Sequence, residues 1–314
     1  SAGSVGSDSP EDKISENKTN AGVMMVDASV APSDIAYPTD LNLLNEAREK
    51  LESIIDTLYE PLKGTIKKPR TYRQKARKSY LIAAKRRKMS TKAIRKAIKQ
   101  QLQFVSRDIR HIEELKGLVG LETLRSRHYR DLLVIHELYR QQRYMYINKV
   151  HKIDDRIVSI HQPHVRPIVR GKANAAVEFG AKISISVVDG MTYLETVSFN
   201  NYAESKYLEQ SVMAYKKRFG CFPETILVDQ IYRNRDNRGF CKMHGIRING
   251  PRLGRPPVDS SPEEKMGNRI DEGMRNQVEG KFGEAKRRFG LQRLLTRLPE
   301  TSECLIAVNC IVMN

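Results

Sequence analysis

The 314-residue sequence predicts a mixed α/β fold, a sheet flanked by helices with a large basic helical insertion after the first strand. Three observations carry this reading. A short apolar run at residues 23–26 has a counterpart at 225–228. Between the two, the segment 41–150 repeats its apolar residues mostly at helical spacing. From Ile183 onward the apolar period falls to two, which is strand spacing.

Residues 1–21 hold Ser, Gly, Asn and acids with almost nothing apolar, the composition of a disordered linker. Gly22 then precedes the first strand. Pro32, Asp34 and Pro38 predict an extended, turned path behind it. Asp40 is placed to cap a helix over 41–58, whose Leu41, Leu44, Leu51, Ile55 and Leu58 share one face. Further helices are expected over 92–115 and 127–146.

Ile183, Ile185 and Val187 alternate with Ser184, Ser186 and Val188, and Asp189-Gly190 is a strong hairpin signal. The return strand is expected over 192–199. A helix over 204–219 should end at Gly220, and a strand opened by Pro223 should end at Asp229. Residues 250–257, rich in Gly, Pro and Arg, read as a basic loop before a long charged helix over 262–289. The resulting division is linker 1–21, first strand of a core 22–40, basic helical insertion 41–150 and the rest of the core 151–314.

The formal net charge of +18 argues for an anionic partner. Residues 63–100 alone carry sixteen Lys and Arg and no Asp or Glu, including Lys85, Arg86, Arg87 and Lys88. That density suits sequence-independent phosphate contact. No apolar run reaches the ~18 residues that would span a bilayer, so no membrane partner is expected. The four cysteines form no CxxC pair and read as reduced thiols. The chain starts without Met and ends on an apolar stretch, so both ends look cut.

The chemistry rests on carboxylates. Asp27 and Asp229 each follow an apolar strand run, and Glu279 lies on a basic helix. Arg275 and Lys286, at offsets of −4 and +7 from Glu279, share its face. Phosphodiester cleavage gains most from two Mg2+ or Mn2+ ions about 4 Å apart, and such hard cations want oxygen ligands. A lone Asp after a strand more often forms a turn or caps a helix, and Glu279 could belong to an ordinary ion-paired helix face. Asp154-Asp155, just before an apolar stretch, competes with Asp27 for the first position. Arg166, Arg170, Lys172 and Lys182 lead into or line the hairpin and are candidates for DNA contact.

Four segments resemble DDE transposases of bacterial insertion sequences. They begin at Asp27-Ala-Ser-Val-Ala-Pro, at Glu178-Phe-Gly-Ala-Lys, at Val228-Asp229-Gln-Ile-Tyr-Arg and at Arg275-Asn-Gln-Val-Glu279-Gly-Lys-Phe-Gly-Glu-Ala-Lys286-Arg287. The last resembles the Tyr-x2-Arg-x3-Glu-x6-Lys signature, with Glu272 standing at the Tyr position. The resemblance runs from about residue 22 to the end. It implies a ribonuclease-H-like core with Asp27, Asp229 and Glu279 as the metal-binding catalytic triad, and prefers Asp27 over Asp155.

It further implies strand cleavage and transfer at element ends, double-stranded DNA as partner, homodimers on paired ends and a bacterial, nucleoid-associated cytoplasmic location. The usual N-terminal DNA-binding region is not visible before residue 22, which fits a fragment. Two other readings stay open: an inactive transposase-derived DNA-binding protein, and a structure-selective nuclease of the same fold.

Overall fold

A computed structural model of the chain describes residues 19–172, 175–250 and 262–314. Residues 1–18 of the expected linker, and all but Gly250 of the expected basic loop, lie outside them. Asn20 and Ala21, also assigned to the linker, are tied down: Asn20 Nδ2 donates to His244 O at 2.8 Å and Ala21 N–H to Phe222 O at 3.0 Å.

In chain order the elements are β1 (Val23–Pro32), α1 (Asp40–Tyr59), α2 (Arg73–Ala84), α3 (Thr91–Val119) and α4 (Ser126–Asn148). There follow β2 (Arg166–Lys172), β3 (Ala175–Val188), β4 (Met191–Ser198), α5 (Leu208–Phe219) and β5 (Thr225–Val228). The chain closes with α6 (Arg235–Met243), β6 (Arg247–Ile248), α7 (Pro262–Arg288) and α8 (Pro299–Val312). The sheet runs β2-β3-β1-β5-β6, with β4 sharing the β2 edge of β3. The β1–β3 pair is antiparallel, while β1–β5 and β5–β6 are parallel, so the expected mixed sheet is present.

Alternation along β1 sorts its side chains between two layers. Met24 and Val26 join Leu208, Val212 and Tyr215 of α5 in one core. Met25 and Ala31 join Val278, Phe282 and Ala285 of α7 in another. The alternation continues in β3, where Ile183, Ile185 and Val187 lie on the α7 side. Asp189 and Gly190 adopt φ of 48° and 80° in the β3–β4 turn, the left-handed pair that the Asp-Gly signal demands. Gly180 has a different reason to be glycine. A Cβ there would stand 2.2 Å from Ala31 O, because β1 and β3 cross closely at that point.

The helices between β1 and β2 bury their own core, built from Leu44, Leu51 and Ile55 of α1 with Val105 and Ile112 of α3 and Ile135 and Leu138 of α4. Thr39, not Asp40, caps α1, accepting from Asn42 N–H. Asp40 instead starts the helix and takes Arg156 at 2.8 Å and Gln142 at 2.9 Å, tying α1 to α4 and the segment after it. The helix expected over 204–219 begins as a 3-10 turn, Glu204–Tyr207, before α5. No disulfide forms: all four cysteines are free. Among the described residues, no helix is long and apolar enough to cross a membrane.

Asp108 on α3 is fully buried and neither carboxylate oxygen has a hydrogen-bond partner. Burial, with Glu52 beside it, pushes its carboxyl from 3.8 up to about 8. The unfolded chain therefore loses this proton near pH 4 and the folded chain near pH 8. Between those limits the folded state holds the extra proton, so this group makes stability fall as pH rises. Thermal melts of Asp108→Asn and the parent chain at a series of pH values should diverge from pH 5 to pH 8, with the variant losing less. Parallel curves would mean that Asp108 is ionised in the folded state.

Candidate active site

Parallel register places the first two carboxylates. Val26 of β1 pairs with Val228 of β5, so the next residues, Asp27 and Asp229, are neighbours across the two strands. Adjacent strands lie about 4.8 Å apart. Met25 and Leu227 pack on the α7 side, and alternation sends Asp27 and Asp229 to that same side. Each carboxylate accepts the backbone N–H of the residue after it, Ala28 at 2.8 Å and Gln230 at 2.7 Å. The buried Asn249 accepts Val228 N–H at 2.8 Å and pins the end of β5.

One expectation needs correction. Asp27 does not end its strand: β1 continues to Pro32, because β3 keeps pairing with it as far as Gly180. Only the parallel partner β5 stops, at Val228. Asp27 thus sits where β1 loses one neighbour and gains an open edge. Asp155, the rival, pairs with Arg166 at 3.7 Å beside β2, on the other side of the sheet from β5.

Helix α7 lies over this edge. Val278, Phe282 and Ala285 fix it to the sheet, at offsets of four and seven that make one buried stripe. The exposed Glu279 follows Val278. Its carboxylate takes Arg275 Nη1 at 3.0 Å, and the same guanidinium reaches Glu272 at 3.2 Å. The Glu that stands at the Tyr position of the signature therefore holds the signature Arg. Lys286 donates to Ser29 Oγ at 2.8 Å, two residues beyond Asp27 in β1. Arg287 is exposed and returns to Gly283 O within its own helix.

Burial raises the Asp27 carboxyl from 3.8 to about 6. The Ala28 N–H opposes this, Glu204 and Glu279 add repulsion, and Arg275 offsets part of it. Asp229 acts on Arg275 as well, so all three expected carboxylates share one electrostatic neighbourhood.

Glu204 is a site neighbour that the sequence reading missed. It binds Lys182 Nζ at 2.8 Å, and Lys182 also donates to Tyr202 O at 2.8 Å. The available signal was Lys182 itself: a lysine in register with the inward serines of β3 needs a buried counter-charge. Burial, then Glu204 and Asp27, holds the Tyr232 phenol well above its ordinary range.

Other expected residues lie elsewhere. Lys85, Arg86, Arg87 and Lys88 form the exposed turn between α2 and α3, within the helical block rather than on the sheet. The backbone of Lys172 ends β2, and its side chain is outside the described part of the structure.

Among the described residues, no three His, Cys, Asp or Glu side chains stand close enough together to hold a metal ion. Within the triad region the reason is visible, since Glu279 is turned to Arg275. The donor chemistry nevertheless suits a hard cation, with two register-matched Asp carboxylates and the negative charge of Glu204 and Glu279 acting on Asp27.

Fold and site together define a mixed α/β protein with two register-matched aspartates at the edge of two parallel strands, roofed by a charged helix. Residues 226–314 match the family described as the transposase DDE domain. The match contains Asp229, Glu279 and Lys286 and bears out the resemblance to DDE transposases, whose members generally use divalent metals. Asp27 precedes the matched span. No curated protein and no solved structure matches the chain significantly.

Proposed function

We propose that the chain is a DNA transposase of the DDE type, cutting and joining phosphodiesters at the ends of a bacterial insertion sequence. The observation that carries this is the β1–β5 register, which sets Asp27 beside Asp229 under the helix of Glu279. The element order supports a ribonuclease-H-like core formed by residues 22–40 and 151–314, with 41–150 as a basic helical insertion. The segment before Asn20 would be a linker.

Asp27, Asp229 and Glu279 are the ligands we assign to Mg2+ or Mn2+. Glu279 must first leave Arg275 to join the two aspartates. Bound ions of this kind supply an activated attacking oxygen and a steadied leaving oxygen. A cation bound at Asp27 would relieve its repulsion with Glu204 and Glu279.

Once released from Glu279, Arg275 stays tethered to Glu272 and turns its other nitrogen to a phosphate beside the scissile bond. Lys286, anchored through Ser29, sets a second positive charge along the same line. Arg287, Lys172 and the turn Lys85, Arg86, Arg87 and Lys88 contact duplex farther out. Water attacks the phosphorus first and the 3′-oxygen leaves as a hydroxyl. That hydroxyl then attacks a target phosphodiester and releases a target 3′-hydroxyl. The protein acts as a homodimer on paired element ends in the bacterial cytoplasm, at the nucleoid.

The Arg275–Glu279 ion pair favours one alternative, a transposase-derived protein that binds DNA without cutting it. Titration calorimetry with Mn2+ and Mg2+ separates them. Binding weakened by both Asp229→Asn and Glu279→Gln supports a shared metal site. Binding indifferent to both, or none with DNA present, overturns the catalytic reading. A structure-selective nuclease would cut branched DNA without joining it.

A further inference from the structure

A second basic surface lies away from the carboxylates. Helices α3 and α4 enclose a groove of about 540 Å3. Along α3 it is lined by Lys99, Arg107 and Arg110, and along α4 by Tyr139, Arg143 and Tyr146. The offsets from Lys99 are eight and eleven, and from Tyr139 four and seven, so each set is one helix face. No Asp or Glu lines the groove. Lys99, Arg107, Arg110 and Arg143 make no salt bridge among the described residues.

The nearest acids on these helices are otherwise engaged or turned inward. Glu113 and Glu114 meet Lys116 and His111, Glu137 meets Arg140, and Asp108 is buried. Arg107 is held over the Tyr72 ring at 4.8 Å, yet its Nη1 is buried without a hydrogen-bond partner. Like charges gathered this closely repel one another, and an anion lying along the groove would relieve that cost.

We propose that this groove binds the phosphodiester backbone of double-stranded DNA, as a contact surface separate from the α2–α3 turn and from the carboxylates. The proposal rests on the nucleic-acid reading above but on none of its metal chemistry. Lys99 to Arg110 covers about 16 Å of helix, enough for several successive phosphates. Duplex fits better than single strand because the groove presents no free stacking platform. Tyr146 already carries Arg95 at 4.5 Å on its ring, and Tyr139 packs against the helical core.

The test uses the full chain, a fluorescent duplex of arbitrary sequence, the matching single strand and a chelator throughout. Fluorescence anisotropy is read across a salt series. Replacing the two exposed arginines, Arg110→Gln with Arg143→Gln, should flatten the slope of log affinity against log salt by about two units. Duplex affinity should fall at least tenfold and single-strand affinity less. Arg110→Lys with Arg143→Lys should keep the parental slope. An unchanged slope in the Gln pair, equal losses on single strand and duplex, or absence of duplex binding by the parent chain would overturn the assignment. The chelator keeps this outcome independent of whether the carboxylates support cleavage.

Discussion

Asp27→Asn, Asp229→Asn and Glu279→Gln are each expected to reduce divalent-metal-dependent DNA nicking by at least about 10²- to 10³-fold, the scale of losing one preorganised electrostatic group. The three side chains would act as a unit, so a double variant should be little worse than the weakest single one. Affinity for duplex in chelator should hold or rise, because each change removes a negative charge near bound phosphates. Asp155→Ala is the control: Asp155 is exposed and paired with Arg166 near β2. Loss of nicking there, with Asp27→Asn active, would transfer the first position to Asp155. Retention of nicking in all three triad variants would remove the transposase chemistry from this edge altogether.

The second large effect concerns stability. Arg48 of α1 is only 1% exposed. Its guanidinium binds Asn45 Oδ1 at 2.8 Å, Glu49 Oε1 at 3.1 Å and, at short range, Glu52. Arg48→Met leaves the buried Glu52 carboxylate, a neighbour of Asp108, with only Arg73 at 4.0 Å, and removes the donor to Asn45 Oδ1. Breaking one side of a buried pair costs about 3–5 kcal/mol. Urea unfolding should register that loss. Arg48→Met combined with Glu52→Leu should recover much of it, since an apolar pair of similar volume carries no desolvation cost. A single-variant cost below about 1 kcal/mol, the range of exposed pairs, would show that water reaches the network.

Much of the frame was legible because it depends on neighbours in the chain. The β3–β4 hairpin followed from the alternation at 183–188 and from Asp189-Gly190, whose left-handed backbone is a local requirement. The end of α5 followed from Gly220, at φ 77°. Helix α7 followed from its charge pattern, and the long helices of the basic segment from their apolar spacing. The elements that escaped are short or lack periodicity. Helix α6 has nine residues, and β6 has two that exist as a strand only through pairing with β5. Strand β2 opens on Arg166-Pro-Ile, whose proline argues against a strand until β3 supplies the partner. Helix α8 is apolar on most faces, and its stripe has meaning only against the β3–β4 side of the core.

The site divides along the same line. Asp229 and Glu279 could be proposed from the sequence through the family resemblance, because their patterns alone left a turn-forming Asp and an ion-paired Glu open. Asp27 could be chosen too, but not its setting within a strand that continues to Pro32. The residues that the sequence by itself determined are those whose structure is set within a few positions: helix faces, the hairpin turn, the strand runs and the excess positive charge. Only the tertiary structure decided which strands are neighbours, that Asp27 and Asp229 share a register, that Glu279 is held by Arg275, and that Lys182 is answered by Glu204. Those facts depend on pairings across tens to hundreds of residues, where the energy lies in register, burial and charge compensation rather than in any local preference of the chain.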